Sequence, residues 1–216
     1  MRHQLPGPPE RRSYVGQPLR LSAVFAALAL VATLHAQSNT ALDRAAAAMT
    51  GTEASFTHRF TPKGFKNSQV ESGTVVFGRL PMMRFSYTKP EQKLFVFDGD
   101  RSWFYVPGDK QVTIADVDAS RKRELPFLLL GDPSARDKHF VVKQSGRVTT
   151  LKPRDSAAII RTVSITTGAD NRISHIEYTD REGNRTSFDL SGYHPRAASA
   201  DTFHFTPPAG VQVVSQ

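Results

Sequence analysis

Cysteine is absent from this chain of 216 residues. Its absence excludes disulfide scaffolds, thiolate zinc sites, iron–sulfur clusters, cysteine nucleophiles and an acyl anchor on an N-terminal cysteine. Glycine and proline are at ordinary levels, 14 of each, so a fibrous protein is excluded as well. The longest uncharged apolar run, Leu21–Leu34, is fourteen residues. It is shorter than the roughly 20 residues that a permanent membrane-spanning helix needs.

Residues 1–36 have the layout of a secretory signal. The apolar run ends in small residues at Ala36, and four arginines precede it: Arg2, Arg11, Arg12 and Arg20. A basic start, a short apolar core and a small residue at the end are typical of such signals. We predict cleavage after Ala36, export to the periplasm and a mature domain of residues 37–216. An uncleaved anchor is the alternative, and the paired arginines leave the twin-arginine route open.

The positive charge is moderate once this segment is removed. The formal net charge of the whole chain is +8, and residues 37–216 hold 24 basic and 19 acidic side chains, a net +5. The only basic run, Arg121–Arg123, is too short for a nucleic-acid surface. We therefore predict no nucleic-acid partner. No segment after residue 36 could cross a bilayer as a helix, so we also predict no stable membrane insertion.

Short apolar segments separated by turn residues predict one β-dominated domain. Helices are predicted at 39–50 and 118–124. About ten or eleven strands follow from alternation and turn signals, at 56–60, 73–77, 83–87, 94–97, 102–106, 140–142, 148–151, 159–166, 173–178, 186–190 and 203–205.

Some of these strands are apolar on both faces. Leu94–Phe97 has no polar face at all, and a sheet in water needs only one buried face. A second apolar face must therefore be covered by another part of the chain. The apolar segment Phe127–Leu130 is the predicted cover.

Signatures of catalysis are thin. Asp98-Gly99-Asp100 is typical of a hairpin turn, and the five histidines after residue 36 are scattered: His58, His139, His175, His194 and His204. Ser86 and Lys89 match a Ser-x-x-Lys motif, but they lie on a predicted strand and no Lys-Thr-Gly partner exists. We predict no enzyme activity, no cofactor and no metal. The strand aromatics then fit either an ordinary core or a cavity for an apolar ligand.

Four stretches carry a resemblance to a known family. They are 73–113, 125–130, 151–153 and 203–211, in an order and spacing that hold across roughly residues 40–214. This series resembles the periplasmic outer-membrane lipoprotein carrier family (LolA). The resemblance implies a mainly β (α+β) fold, in which a single large antiparallel sheet is curved into an unclosed β-barrel. Short α-helices form a lid over its hydrophobic cavity.

The resemblance also implies a function and partners. Family members take acylated lipoproteins from an ATP-driven inner-membrane releasing complex (LolCDE) and carry them to an acceptor at the outer membrane. By this reading the chain is a non-enzymatic chaperone and a monomer. The acceptor is itself a lipoprotein that needs a cysteine, which this chain lacks.

The predicted site residues divide into three groups. The strand residues expected to line the cavity are Phe56, Met83, Phe85, Tyr87, Phe95, Phe97, Trp103 and Tyr105. Those expected in the lid are Leu125, Phe127, Leu128, Leu129 and Leu130. Arg79 matches by motif position a family arginine that helps control lid closure and transfer. Here Leu80 stands between Arg79 and Pro81, a departure from the family pattern.

Three alternatives remain open at this point. A related half-barrel protein could bind another lipid or sense stress; such regulators carry a second C-terminal domain, which we do not expect here. A small outer-membrane barrel would need strands of roughly ten residues with one strictly lipid-facing side. A lipid-acting enzyme would need a histidine or serine on which its activity depends.

Overall fold

The computed structural model describes residues 40–216, so the predicted signal segment, residues 1–36, lies outside the described residues. The described chain forms one sheet of twelve strands. None of its helices has the length and apolar character needed to cross a membrane. The helices are α1 (Ala41–Ala47), α2 (Ala119–Lys122) and α3 (Pro133–His139), with 3-10 turns at Leu128–Leu130 and Ala200–Phe203.

The strands form two meanders, and a short C-terminal strand is added at one edge of the sheet. The first meander contains β1 (Thr52–Thr61), β2 (Gln69–Phe77), β3 (Met83–Lys89), β4 (Lys93–Phe97), β5 (Arg101–Val106) and β6 (Gln111–Asp116). The second contains β7 (Phe140–Ser145), β8 (Val148–Pro153), β9 (Ile160–Thr167), β10 (Ile173–Asp180) and β11 (Arg185–Pro195). The last strand is β12 (Gln212–Ser215).

The sheet order is β12-β6-β5-β4-β3-β2-β1-β11-β10-β9-β8-β7. Strands β1 and β11 join the two meanders, and every neighbouring pair is antiparallel except β12 with β6. Strands β7 and β12 stand at opposite edges without pairing, so the sheet is not closed. The predicted class, one large antiparallel sheet with few short helices, is confirmed.

Helix α1 begins where the sequence signals it. Thr40 and Asp43 form a capping box, in which each side chain accepts a hydrogen bond from the other residue's backbone N–H. The buried side of the helix consists of Leu42, Ala45 and Ala46. The helix therefore packs a flat apolar side onto the sheet.

Helix α3 was not predicted, although its start has recognisable signals. The Asp132 side chain accepts a hydrogen bond from the backbone of Ala135, and Pro133 occupies the first turn. Arg136 on this helix is 1% exposed and places Nη1 2.7 Å from Asp43 Oδ1. This ion pair connects α3 to α1.

One predicted strand is absent, and two observed strands were not predicted. Residues 203–205 are not a strand, because a 3-10 turn ends at Phe203 and the chain then runs extended. Strands β6 and β12 were missed. Most side chains of β12 are exposed, so it shows little apolar pattern, and its pairing with β6 is what defines it.

The sheet has two apolar faces with different covers. On one face, here called the lid face, α1 and the segment Leu125–Leu130 pack onto Phe85 and its neighbours. On the other face, here called the tail face, the C-terminal segment Ala198–Val211 packs onto Val96, Trp103 and Val112. The strands that are apolar on both faces, as the sequence indicated, therefore have a separate cover on each face.

Candidate apolar binding site

A cavity of about 190 Å³ lies on the lid face between the sheet and the segment Leu125–Leu130, here called the lid segment. Its lining residues are Met83, Phe85, Tyr87, Phe95, Leu125, Pro126, Phe127, Leu128, Tyr178 and Phe188. The only polar side-chain groups among them are two tyrosine hydroxyls. Such a lining holds hydrocarbon through the hydrophobic effect and offers few polar contacts.

The sheet wall of the cavity is centred on Phe85. Alternation on β3 points Met83, Phe85 and Tyr87 to the same face, and the register places Phe95 of β4 directly opposite Phe85. The ring of Phe188, from β11, lies with its centroid 5.9 Å from that of Phe85. Two meanders that are distant in sequence therefore contribute to one wall.

The other wall is the lid segment. The Phe127 ring stands edge-on to Phe85 and Phe188, with centroid distances of 5.2 and 5.1 Å. Successive i to i+3 backbone hydrogen bonds from Leu128, Leu129 and Leu130 wind the segment into a tight turn. Leu125 is 38% exposed, so the cavity meets solvent at this end of the segment.

The lid segment ends against the β2–β3 turn. A Cβ placed on Gly131 would lie 2.9 Å from the backbone nitrogen of Pro81 and 3.0 Å from the carbonyl carbon of Leu80. This close approach explains a glycine here without any need for a positive φ, since Gly131 is in the helical region. It also brings the end of the lid segment into contact with the turn that carries Arg79.

Most predicted cavity and lid residues lie together. Seven of them line the cavity: Met83, Phe85, Tyr87, Phe95, Leu125, Phe127 and Leu128. Phe56, Phe97, Leu129 and Leu130 belong to the same cluster but pack outside the cavity lining. The sequence did not reveal Tyr178 and Phe188 as lining residues, because their positions depend on how the two meanders pair. Pro126, which stands between two predicted lid residues, was missed as well.

Trp103 and Tyr105 are placed differently from the prediction. In the register, Trp103 is opposite Val96 and Tyr105 is opposite Leu94, and these residues pack in the tail-face cluster. Alternation on β5 turns Phe104 instead to the lid face, opposite Phe95. Trp103 and Tyr105 are therefore core residues of the opposite face.

A charged group lies on the lid face next to the aromatic wall. Glu71 Oε1 is 2.6 Å from Lys93 Nζ, and Glu71 Oε2 is 3.3 Å from His58 Nδ1. The His58 ring stacks on Phe188 with a centroid distance of 4.4 Å. Burial lowers the pKa of His58, and the attraction of Glu71 offsets this only in part. Burial, followed by the nearby charge of Glu71, raises the pKa of Tyr87.

Arg79 is exposed in the β2–β3 turn. Within residues 40–216 its guanidinium forms no hydrogen bond or ion pair. The same part of the chain brings together no group of three or more His, Asp or Glu side chains suited to a metal ion.

The open sheet, the aromatic cavity and its short helical cover together form a site whose chemistry suits an apolar ligand. The sequence model of the family described as "Outer membrane lipoprotein carrier protein LolA" matches residues 47–206. The chain belongs to this family, which confirms the resemblance found in the sequence.

Two curated relatives carry the name outer-membrane lipoprotein carrier protein. The one from Xanthomonas campestris pv. campestris (strain B100) is 30% identical over 200 residues, covering 89% of this chain and 95% of the relative. The one from Serratia proteamaculans (strain 568) is 30% identical over 164 residues, covering 76% and 80%. The solved structure of a LolA superfamily protein from Nitrosomonas europaea aligns with a TM-score of 0.44 at 10% identity, covering 76% of this chain and 96% of that one.

Proposed function

We propose that this protein is a periplasmic chaperone that carries acylated lipoproteins between membranes and performs no chemistry on them. The observation that carries the proposal is the aromatic cavity beneath the lid segment, in a chain whose relatives are named lipoprotein carriers. Burial of acyl chains contributes about 0.8 kcal/mol per methylene, so lipoproteins need a shielded site to cross water. The carrier acts as a monomer without a cofactor.

The lid segment must move for cargo to enter. The cavity of about 190 Å³ is smaller than the roughly 300–1,000 Å³ of ordinary ligand pockets. Displacing Phe127 and Leu128 would expose Phe85 and Phe188 and extend the apolar surface. Loading and unloading are therefore changes in the position of the lid segment rather than catalytic steps.

The partners follow from the carrier role. The cargo is supplied by an ATP-driven releasing complex of the inner membrane and delivered to an acceptor at the outer membrane. Export depends on residues 1–36 acting as a cleaved signal.

Arg79 is proposed to control transfer through the β2–β3 turn. The support is the contact between Gly131 at the end of the lid segment and the Leu80–Pro81 peptide, one residue from Arg79. An Arg79→Leu variant is expected to accept lipoprotein normally and to pass it on poorly. Normal delivery by this variant would remove Arg79 from the proposal and leave the carrier function intact.

The decisive experiment measures release of a lipoprotein from a membrane. Protein purified from the periplasmic fraction of expressing cells is added to spheroplasts that make a labelled lipoprotein. We expect the label to leave the membrane in a soluble one-to-one complex with the protein. If no lipoprotein leaves and the protein copurifies with free lipid, the chain is a lipid-binding relative with a different ligand.

A pair of neighbouring residues provides a matched control. Phe95 lines the cavity, whereas Leu94 is partly buried on the tail face. Phe95→Ser is expected to reduce lipoprotein uptake roughly tenfold, the change that corresponds to losing one large apolar contact. Leu94→Ser should leave the uptake of the folded protein unchanged. If the two variants lose lipoprotein uptake equally, the cavity is not the site on which uptake depends.

A further inference from the structure

The β1–β2 loop, residues 62–68, presents an apolar side chain to water. Phe65 in this loop is 70% exposed, which makes it the most exposed large hydrophobic residue in the described part of the chain. Val70, at the start of β2, follows at 51%. Scattered exposed apolar residues need no explanation, but the exposure of Phe65 clearly exceeds that of Val70 and the others.

The loop holds Phe65 in a defined position. The Phe65 N–H donates a 3.1 Å hydrogen bond to the Pro62 carbonyl, and Gly64 has a φ of 83°. A positive φ at the third position is the mark of a type II turn, which glycine adopts without strain. The hydroxyls of Thr61 and Ser68 lie 2.7 Å apart and close the base of the loop. The phenyl ring is thus displayed by an ordered turn.

The charge around Phe65 is net positive. Residues 61–70 contain two lysines, Lys63 and Lys66, and no acidic residue. In the neighbouring β10–β11 turn, Asp180 and Glu182 both accept hydrogen bonds from Asn184. Arg181 stands in the same turn and Arg185 directly follows it, so the loop and the turn together hold four basic and two acidic side chains. The surface around Phe65 therefore has an apolar tip and a net positive charge.

The loop stands at the end of the sheet to which the cavity extends. Tyr178, which lines the cavity, is paired with Thr186, and Thr186 is paired with Phe60. The loop begins two residues after Phe60. The backbone N–H of Lys63 also donates a 3.0 Å hydrogen bond to Asn184 Oδ1, which fixes the loop to this end.

We propose that the β1–β2 loop docks the protein transiently on an anionic phospholipid membrane. Phe65 enters the boundary between head groups and acyl chains, while Lys63 and Lys66 face the lipid phosphates. This chemistry suits an anionic lipid surface because it joins an apolar tip to two lysines within a surface of net positive charge. One ring and two lysines give weak and reversible attachment, so the protein can leave again. The inference goes beyond carriage, since a protein without cargo should dock as well.

The test measures binding to vesicles by co-sedimentation. Protein from the periplasmic fraction is mixed with vesicles of phosphatidylethanolamine and phosphatidylglycerol, or with phosphatidylcholine alone, in low salt. Phe65→Ser is expected to weaken binding to the anionic vesicles about tenfold, the change expected for one phenyl ring returned to water. The control is Val148→Ser, because Val148 is 37% exposed at the opposite end of the sheet and should have no effect. Equal binding by both variants would overturn the proposal.

A second pair of variants separates local charge from net charge. Lys66→Glu and Lys143→Glu change the net charge equally, but Lys143 lies on the edge strand β7, outside the loop. Only Lys66→Glu should lose most of the binding to anionic vesicles. Equal losses would mean that the attraction is general rather than local, and would also overturn the proposal.

The outcome is independent of the carrier function. Phe65→Ser should still take lipoprotein from spheroplasts, since Phe65 is not part of the cavity lining. If Phe65→Ser binds plain lipid normally and fails only with vesicles that carry an outer-membrane acceptor protein, the loop docks on protein and the lipid proposal is wrong.

Discussion

The two faces of the sheet are both apolar, but their covers are attached to the sheet in different ways. Both are apolar across β4 and β5, and both are covered by the chain's own segments. On the tail face the cover is fixed to the sheet. Arg84 Nη1 donates a 3.2 Å hydrogen bond to the Thr202 carbonyl, and β12 pairs with β6 beyond the covering segment.

The lid segment is attached to the sheet by apolar packing. In the described part of the chain, the backbone hydrogen bonds of residues 128–131 run within the segment itself, from each N–H to the carbonyl three residues earlier. A cover held only by side-chain contacts can lift without breaking backbone pairing. The comparison shows that hydrogen bonds hold the cover of the tail face, whereas apolar packing holds that of the lid face, where we propose that opening takes place.

The largest effect is expected from truncating one large side chain in the core of the tail face. Trp103 is buried, and Trp103→Ala should lower the free energy of unfolding by about 3–5 kcal/mol, as large-to-small core substitutions do. Urea unfolding measures this. Its neighbour Phe104 is 40% exposed on the other face, so Phe104→Ala should cost far less. Comparable losses would contradict the assignment of faces.

The next effect concerns the helix that follows the lid segment. Arg136→Met removes the buried partner of Asp43 and should lower the free energy of unfolding by about 3 kcal/mol. Calorimetry or urea unfolding measures the loss. Lys138→Met, on the same α3 helix as Arg136 but exposed, is the matched control and should cost much less. A near-neutral Arg136→Met would mean that the α1–α3 ion pair does not anchor this end of the lid.

One glycine lies close to each cover, and a glycine-to-alanine substitution adds a single methyl group there. A Cβ on Gly78 would lie 2.6 Å from the Phe203 ring under the tail segment, whereas a Cβ on Gly131 would meet Pro81 behind the lid segment. Each alanine variant should cost about 1–3 kcal/mol through overpacking. Only Gly131→Ala should change the affinity for a fluorescent apolar probe. If Gly78→Ala changes probe binding as much, the two covers are not independent.

The smallest effect is a pH dependence on the lid face. Because burial lowers the pKa of His58 below its ordinary 6.5, the unfolded chain takes up this proton first as the pH falls. The stability that neutral His58 contributes is therefore present above about pH 6.5 and declines below it. His58→Phe keeps an aromatic ring stacked on Phe188. In this variant the free energy of unfolding, measured with urea, should depend less on pH between 7.5 and 5.5. A slope as steep in His58→Phe as in the wild type would contradict this role of His58.

The sequence predicted much of this arrangement for reasons that are local. Alternation placed Met83, Phe85 and Tyr87 on one face together, and the break in pattern marked the lid segment. The prediction that Trp103 and Tyr105 line the cavity was wrong, because a strand that is apolar on both sides has no polar face that indicates its orientation. Tyr178 and Phe188 were missed since they reach the cavity only through the β1–β11 pairing. The signal segment and the control role of Arg79 stay predictions.

The unpaired edges of β7 and β12 set how much the protein can hold. A closed barrel fixes its diameter by its strand number and stagger, so widening it breaks ladder hydrogen bonds. A sheet whose first and last strands do not meet can widen or narrow its circumference by small changes of twist at every strand, with all its ladders intact. For the proposed carrier, we therefore expect an elastic capacity that accommodates cargoes of different bulk.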